Sequence, residues 1–110
     1  MPKIYSPQAW GNTGSQHSLQ RSLKEKELEK VLKALANKRR ISILKFIKKS
    51  GRASVGEVAG AIKLSFKATS KHLMILSNTD ILEKEQESLT MFYFLSGSQN
   101  PLVSKLLSII

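Results

Sequence analysis

The sequence of 110 residues predicts a mainly α-helical fold that includes one small β-hairpin. Three observations predict it. Apolar residues recur at i, i+3, i+4 and i+7 in the first half, which is the spacing of an amphipathic helix. Two short segments, each opened by a serine cap, then follow with a tight turn between them. A turn cluster and a run of β-forming residues, 91–95, come next.

The first helix is expected to begin between Leu19 and Leu23 and to end near Ala36. Its apolar stripe is formed by Leu28, Val31, Leu32 and Leu35. Residues 1–18 are rich in Ser, Gln, Gly and Asn and show no apolar period, which is typical of a disordered tail. The predicted organisation is therefore a tail, 1–18, and one folded domain, 19–110.

A second helix is predicted at about Lys38 to Lys49, with Asn37 as its N-cap. Gly51 follows it and supplies the left-handed residue that commonly ends a helix. The side chains expected to be buried are Ile41, Ile43, Leu44 and Ile47.

The next two helices form the predicted helix-turn-helix. Ser54 and Glu57 make a capping box that opens a helix reaching Ile62, and Ser65 caps a helix from Phe66 to about Leu76. Two short helices joined by so tight a turn are a helix-turn-helix. The second is expected to turn Thr69, Leu73 and Leu76 inward, with the Thr69 hydroxyl bonded to the Ser65 carbonyl or facing a phosphate.

A β-hairpin is predicted directly after this helix, so the fold class is a winged helix-turn-helix. The first strand starts at Ile81, residues 86–89 form the tip, and residues 91–95 form the second strand. Alternate residues of that strand are expected to pack on the helices. Asn100 then caps a last helix, whose first residue is Pro101.

The net charge of +10 is unevenly distributed. Residues 20–72 carry fifteen Lys and Arg and four Glu, whereas residues 73–110 carry two Lys, one Asp and three Glu. A basic half of this kind indicates a polyanion as partner. Together with the helix-turn-helix it predicts binding to double-stranded DNA.

The candidate DNA contacts lie on the second helix of the helix-turn-helix and at the start of the helix that Asn37 caps. Lysine can donate to guanine, serine can donate or accept, and phenylalanine can touch a thymine methyl. With the apolar edge inward, the side chains that point outward are Phe66, Lys67, Ser70, Lys71 and Met74. Cations at the start of a helix suit phosphates rather than the helix dipole, and here they are Lys38, Arg39 and Arg40. His72 is expected to bond a phosphate or to make a structural hydrogen bond.

A homodimer is predicted because the first and last helices carry apolar stripes that a protomer of this size covers only in part. The predicted interface residues are Leu23, Leu28, Val31, Leu32, Leu102, Val103, Leu106, Leu107 and Ile110. A two-fold dimer would place two reading helices about one turn of DNA apart.

From Lys24 to Leu107 the chain resembles the ArsR-type winged-helix regulators. The resemblance is carried by Leu32–Asn37 with Arg39–Leu44, by Ser54–Ala59, and by Leu64–Ser65 with Ser70–Leu76. It implies a homodimer built from the first and last helices. It also implies repression at a palindromic operator, relieved by a signal, with DNA contacts on Phe66, Lys67, Ser70, Lys71 and His72.

The sequence also departs from that family's pattern. The metal-sensing cysteines of many members are missing, since the chain has none, and the last helix carries no His or acid. No metal site is therefore predicted, and no cofactor. The wing, usually basic, reads Glu83-Lys84-Glu85-Gln86-Glu87, which would repel phosphates.

Other function classes find little support. No nucleophile–base pair, paired carboxylates or Gly-rich phosphate loop indicates an enzyme. No apolar run is long enough to cross a membrane and no signal peptide is evident, so a cytoplasmic location is expected. The alternative is a winged helix that serves as a protein-interaction or RNA-binding module, which the acidic wing and the run Phe92-Tyr93-Phe94 motivate.

Overall fold

The computed structural model describes the backbone from Ser15 to Ile110 and the side chains from Lys24 onward. The chain divides into two compact units, Met1–Lys30 and Val31–Ile110. The helices are α1 Ser15–Leu35, α2 Lys38–Ser50, α3 Val55–Ile62, α4 Phe66–Asn78 and α5 Pro101–Ile109. The strands are β1 Arg52–Ser54, β2 Leu82–Glu87 and β3 Thr90–Leu95. The predicted winged helix-turn-helix is confirmed.

The helix starts after α1 follow the predicted caps. Asn37 accepts hydrogen bonds from the backbone of Arg39 and Arg40, at 2.9 and 3.1 Å. The Ser54–Glu57 capping box has both of its bonds, 3.2 and 2.8 Å. Side-chain oxygens of this kind satisfy the backbone N–H groups that a helix start leaves unpaired. The caps at Ser65 and Asn100 are likewise confirmed.

α1 begins earlier than predicted. Its first residue is Ser15, so residues 15–18, predicted as part of the tail, are helical. Nothing in Ser15-Gln16-His17-Ser18 breaks a helix, because glycine and proline are absent from this stretch. The rest of the predicted tail, residues 1–14, lies outside the described residues.

The core of the second unit contains the end of α1, from Val31 onward, together with residues of the helix-turn-helix and the sheet. Its fully buried side chains include Ile43, Leu44 and Ile47 of α2 and Leu73 and Leu76 of α4, as predicted. Ile41, predicted to be buried, is half-buried. At the end of α2, Gly51 has a φ of 88°, a value that favours glycine.

The sheet has three antiparallel strands in the order β1-β3-β2. The hairpin turns at Ser88 and Leu89, within the predicted tip. β1 was not predicted, because three residues are too few to show an alternating pattern. Tyr93 packs into the core at 9% exposure, and its neighbours Phe92 and Phe94 lie on the other face.

Thr69 is the exception in the core. Its side chain is 0% exposed and its hydroxyl has no hydrogen-bond partner among the described residues. The Ser65 carbonyl accepts from the Thr69 backbone N–H at 3.0 Å instead. Both expectations for this hydroxyl, a bond to that carbonyl or a contact with phosphate, are therefore wrong.

Replacing Thr69 with valine is expected to stabilise the protein by about 1 kcal/mol, because an unpaired buried hydroxyl is unfavourable by about 1–3 kcal/mol. Urea unfolding at fixed protein concentration measures it. Thr69→Ser is the matched control, since it keeps the hydroxyl and loses the methyl group, and it should destabilise. A valine variant less stable than the parent would show that the hydroxyl has a partner in solution.

Candidate nucleic-acid interface

The turn between α3 and α4 fixes the direction of the reading helix. Lys63 ends α3 in the left-handed conformation, with φ 56° and ψ 53°. The backbone N–H of Leu64 then bonds the Ala59 carbonyl at 3.1 Å, and Ser65 caps α4 through the backbone N–H of Ala68 at 3.1 Å. The lysine at this turn is exposed, so it adds a cation beside the start of α4.

α4 rests on its predicted apolar edge and presents a basic, partly apolar face to solvent. Thr69, Leu73 and Leu76 are each 0% exposed. On the outward side, Phe66 and Met74 are 63% and 55% exposed. Lys67 and Lys71 are exposed as well, and Ser70 is half-buried. The geometry that the sequence predicted for this helix is confirmed.

Arg40 and His72 are engaged within the protein. The Arg40 guanidinium donates to the carbonyls of Lys33 and Ala34 at the end of α1, and its Nη1 lies 3.1 Å from His72 Nδ1. A cation on the last carbonyls of a helix is favourable. The structure therefore gives both side chains a structural role, and their predicted phosphate contacts remain a prediction.

The same contact perturbs the titration of His72. Partial burial, followed by the charges of Arg40 and Arg39, lowers the pKa of His72 from its ordinary 6.5. The folded state then holds fewer protons than the unfolded state near that pH. The stabilising contribution of the neutral imidazole is complete above the unfolded pKa and is lost as pH falls through 6.5 toward the lowered value.

The midpoint of thermal unfolding is accordingly expected to fall between about pH 8 and about pH 5.5. His72→Gln should show a smaller fall, because the glutamine carbonyl can accept from Arg40 without titrating. Thermal scans of both chains in matched buffers measure the difference. Parallel curves for the two chains would show that His72 is not the titrating group.

The remaining predicted phosphate contacts lie at the start of α2. Lys38 and Arg39 are exposed there. Farther along the helix, Lys45 and Lys49 are exposed too and line a groove of about 330 Å³ with Arg39. Lys45 and Lys49 are not among the residues predicted from the sequence. Lys45 and Lys49 are four residues apart, a spacing that places two side chains on the same face of a helix, and this signal could have found them.

The wing combines acidic and apolar groups. From Glu83 to Glu87 every side chain of β2 is exposed, and Leu89 at the tip is 97% exposed. Arg52 of β1 pairs with Glu87 at 3.1 Å, and this contact lowers the pKa of the glutamate. Leu89 and Phe66 line one groove of about 380 Å³, so the wing tip lies beside the start of α4.

The predicted dimer residues whose side chains the structure describes divide into three groups by their exposure. Val31 and Val103 are 2% and 1% exposed, so the prediction that they lie in the dimer interface is wrong. Both side chains belong to the core of the protomer. Leu28 and Leu32 are exposed, and the half-buried ones are Leu102, Leu106, Leu107 and Ile110. Ile109, which was not among the predicted residues, is 73% exposed. The side chain of Leu23 lies outside the described residues.

The described part of the chain contains no group of three or more His, Cys, Asp or Glu side chains placed to hold a metal ion. Between Ser15 and Ile110 there is also no helix of the length and apolarity needed to span a membrane.

No model of a known protein family matches the chain. A curated relative is the transcriptional activator HlyU of Vibrio cholerae, with 38% identity over 69 residues. That alignment covers 63% of each protein, so it spans less than two thirds of the relative's length.

Solved structures extend the similarity over more of the chain. HlyU of Vibrio cholerae has a TM-score of 0.67 and 31% identity, covering 78% of this chain and 89% of that one. NolR of Sinorhizobium fredii has a TM-score of 0.69 and 27% identity, with 82% and 86% covered. The homodimeric winged helix-turn-helix domain of Mb0332 from Mycobacterium bovis, described as a possible ArsR-family regulator, has a TM-score of 0.73 and 23% identity, with 90% and 84% covered.

Proposed function

This chain belongs to the ArsR-type family of winged helix-turn-helix transcriptional regulators, and on that premise we propose that it is a sequence-specific, double-stranded DNA-binding regulator that acts as a homodimer in the cytoplasm. In this proposal α4 enters the major groove, and the start of α2 and the α3–α4 turn contact phosphates. The proposal assigns the chain no catalytic step, no cofactor and no metal.

The observation that carries the proposal is the outward face of α4. Lys67 and Lys71 project from a helix whose other side is anchored by fully buried residues, so their positions are fixed by the core. Lysines that project from the outward face of an anchored helix can donate to guanine in the major groove. Phe66, exposed at the start of the helix, suits contact with a thymine methyl.

Phosphate contacts would hold that helix in register. Lys38, Arg39 and Lys63 are exposed, and the first two stand at a helix N-terminus. Backbone contacts of this type position a protein on the duplex without reading sequence. The exposed glutamates of β2 oppose such contacts, so the wing is expected to add little affinity.

Dimerisation is supported by apolar side chains that stay exposed in the protomer. Leu32 and Ile109 are 51% and 73% exposed, and half-buried leucines of α5 adjoin the core. The Mb0332 domain, which shares the fold, is described as homodimeric. Gel filtration should give the elution volume of a dimer, and Leu32→Glu with Ile109→Glu should shift it to that of a monomer. A monomeric parent protein would contradict this part of the proposal.

Repression of transcription is also part of the proposal. It rests on the resemblance to the ArsR-type regulators, since a dimer bound over a promoter excludes the polymerase. The relative HlyU is named a transcriptional activator, so a direct measurement on this chain decides between repression and activation. A reporter gene downstream of the bound site should fall in expression when the protein is supplied, whereas a rise would reverse the assignment.

Selection of bound fragments from a random duplex pool, using the purified protein, tests the DNA-binding proposal. The selected sites should contain inverted half-sites about one helical turn apart, because two reading helices are related by a two-fold axis. Affinity should also fall steeply with salt, with a log–log slope of about −0.9 for each phosphate neutralised. A pool that shows no enrichment would contradict the proposal.

A second candidate is an RNA-binding or protein-interaction module, which the acidic β2 strand favours. Single-stranded and duplex RNA of matched length, added as competitors, distinguish it. RNA that displaces the protein from its selected DNA site at equal concentration would favour this candidate.

A further inference from the structure

The outer face of the sheet combines glutamates with aromatic rings. Directly paired residues of neighbouring antiparallel strands share a face. Glu83 pairs with Phe94 and Glu85 pairs with Phe92, so these four lie together. Both rings are half-buried and both glutamates are exposed. We call these four residues the acidic-aromatic face.

Arg52 of β1 places one cation beside this face, and its charge acts on Glu85 as well as on Glu87. The Arg52 guanidinium lies 3.9 Å from the centre of the Phe92 ring and pairs with Glu87. Glu83 and Glu85 have no hydrogen bond or ion pair among residues 24–110. A negatively charged, partly apolar surface of this kind repels phosphates and favours a basic partner that is also partly apolar.

The same chain carries a surface with the complementary chemistry. The groove between α2 and α3 is bordered by the exposed cations of Arg39, Lys45 and Lys49, and Phe46 and Ile62 supply half-buried apolar surface within it. We call this the basic groove. Its volume of about 330 Å³ leaves room for an aromatic ring. Lys45 and Lys49 form no ion pair with the wing glutamates in the described part of their own chain.

We propose that the acidic-aromatic face of one copy docks on the basic groove of a second copy, so that neighbouring dimers bind DNA cooperatively. The two surfaces are different patches, so the contact is head-to-tail and can repeat along a row of dimers. A free chain carries a net charge of +10, and mutual repulsion opposes the contact in solution. DNA phosphates neutralise that charge, which lets the contact form between bound dimers. This inference rests on the proposed function.

The test compares four chains: the parent, Glu83→Lys with Glu85→Lys, Lys45→Glu with Lys49→Glu, and the full swap of all four positions. The full swap keeps the parent's net charge and composition, which makes it the matched control. Arg39 stays unchanged, since it is a candidate phosphate contact. Each chain is titrated by fluorescence anisotropy against fixed-sequence duplexes of about 20 and about 60 base pairs, long enough for one dimer and for several. Thermal melts verify folding. If the variant Glu83→Lys with Glu85→Lys does not fold, Glu83→Gln with Glu85→Gln replaces it.

Cooperativity on the longer duplex should fall about tenfold in each of the two double variants that reverse the charge of one surface. This fall is equivalent to about 1.4 kcal/mol, and cooperativity should return in the full swap. Equal cooperativity in all four chains would overturn the inference. A full swap that fails to recover would also overturn it and would indicate another protein as the partner of either surface. If Lys45→Glu with Lys49→Glu weakens binding to the short duplex as much as to the longer one, the groove binds phosphate and the inference is again overturned. Binding to the short duplex reports separately on the proposed function, because it needs no second dimer.

Discussion

Replacing Lys67 and Lys71 together with alanine is expected to lower the affinity for the selected DNA site by about a hundredfold or more. A good contact to a base edge contributes about 1–3 kcal/mol of discrimination, and 1.4 kcal/mol corresponds to a factor of ten. Both side chains are exposed on α4, and alanine is the strongest helix former, so the fold should be unchanged. Anisotropy titrations against the selected duplex and a scrambled one measure affinity and selectivity together.

Lys24→Ala with Lys26→Ala is the matched control, since it removes the same charge from exposed positions of α1. It should weaken binding to both duplexes by a similar, smaller factor, because charges that contact no base act only through the general field. Equal losses in the two double variants would mean that α4 contributes charge but reads no bases. Unchanged affinity after removal of Lys67 and Lys71 would mean that α4 is not the reading helix.

The features that could be predicted from the sequence are those that local chemistry determines. Asn37, Ser54 and Ser65 each bond the backbone within three residues of their own position, so a short motif holds the whole interaction. The outward direction of Lys67 and Lys71 follows in the same way. Once Leu73 is placed inward, helical geometry fixes the neighbouring positions.

Contacts between residues distant in sequence could not be predicted. Arg40 and His72 are 32 residues apart, and only the packing of α2 on α4 brings them together. The sequence therefore showed no sign that the two meet: Arg40 was assigned to phosphate, and His72 to a phosphate or a structural hydrogen bond. β1 could not be predicted for the same reason, because its three residues become a strand only through pairing with β3.

The apolar stripe of α1, which was assigned to the dimer interface, shows a second feature that could not be predicted from the sequence. Val31 and Leu32 are adjacent, and the helical period allows both to count as one apolar face. In the structure Val31 is 2% exposed and Leu32 is 51% exposed, so the protomer's own core buries Val31 and leaves Leu32 at the surface. An apolar period shows that a face is buried but not by which partner. That division appears only when the other elements are in place.

Leu73→Ala is expected to destabilise the protein by about 2–5 kcal/mol, the range for removing a large buried side chain. Leu73 is 0% exposed and belongs to the core cluster that holds α4. Domains of this size are stable by only about 5–15 kcal/mol, so the loss is a large share of the total. Urea unfolding followed by circular dichroism measures it, at one protein concentration because a dimer's stability depends on concentration.

Met74→Ala is the matched control, one residue along the same helix and 55% exposed. It should change stability by no more than about 0.5 kcal/mol, as is usual for surface positions. Any effect of Met74 should appear instead in DNA affinity, since its side chain points the same way as Lys67 and Lys71. If Met74→Ala destabilised as much as Leu73→Ala, the outward face of α4 would be packed against protein in solution. A helix packed on both sides could not enter the major groove, so this pair of stability measurements tests the orientation of α4 without using DNA.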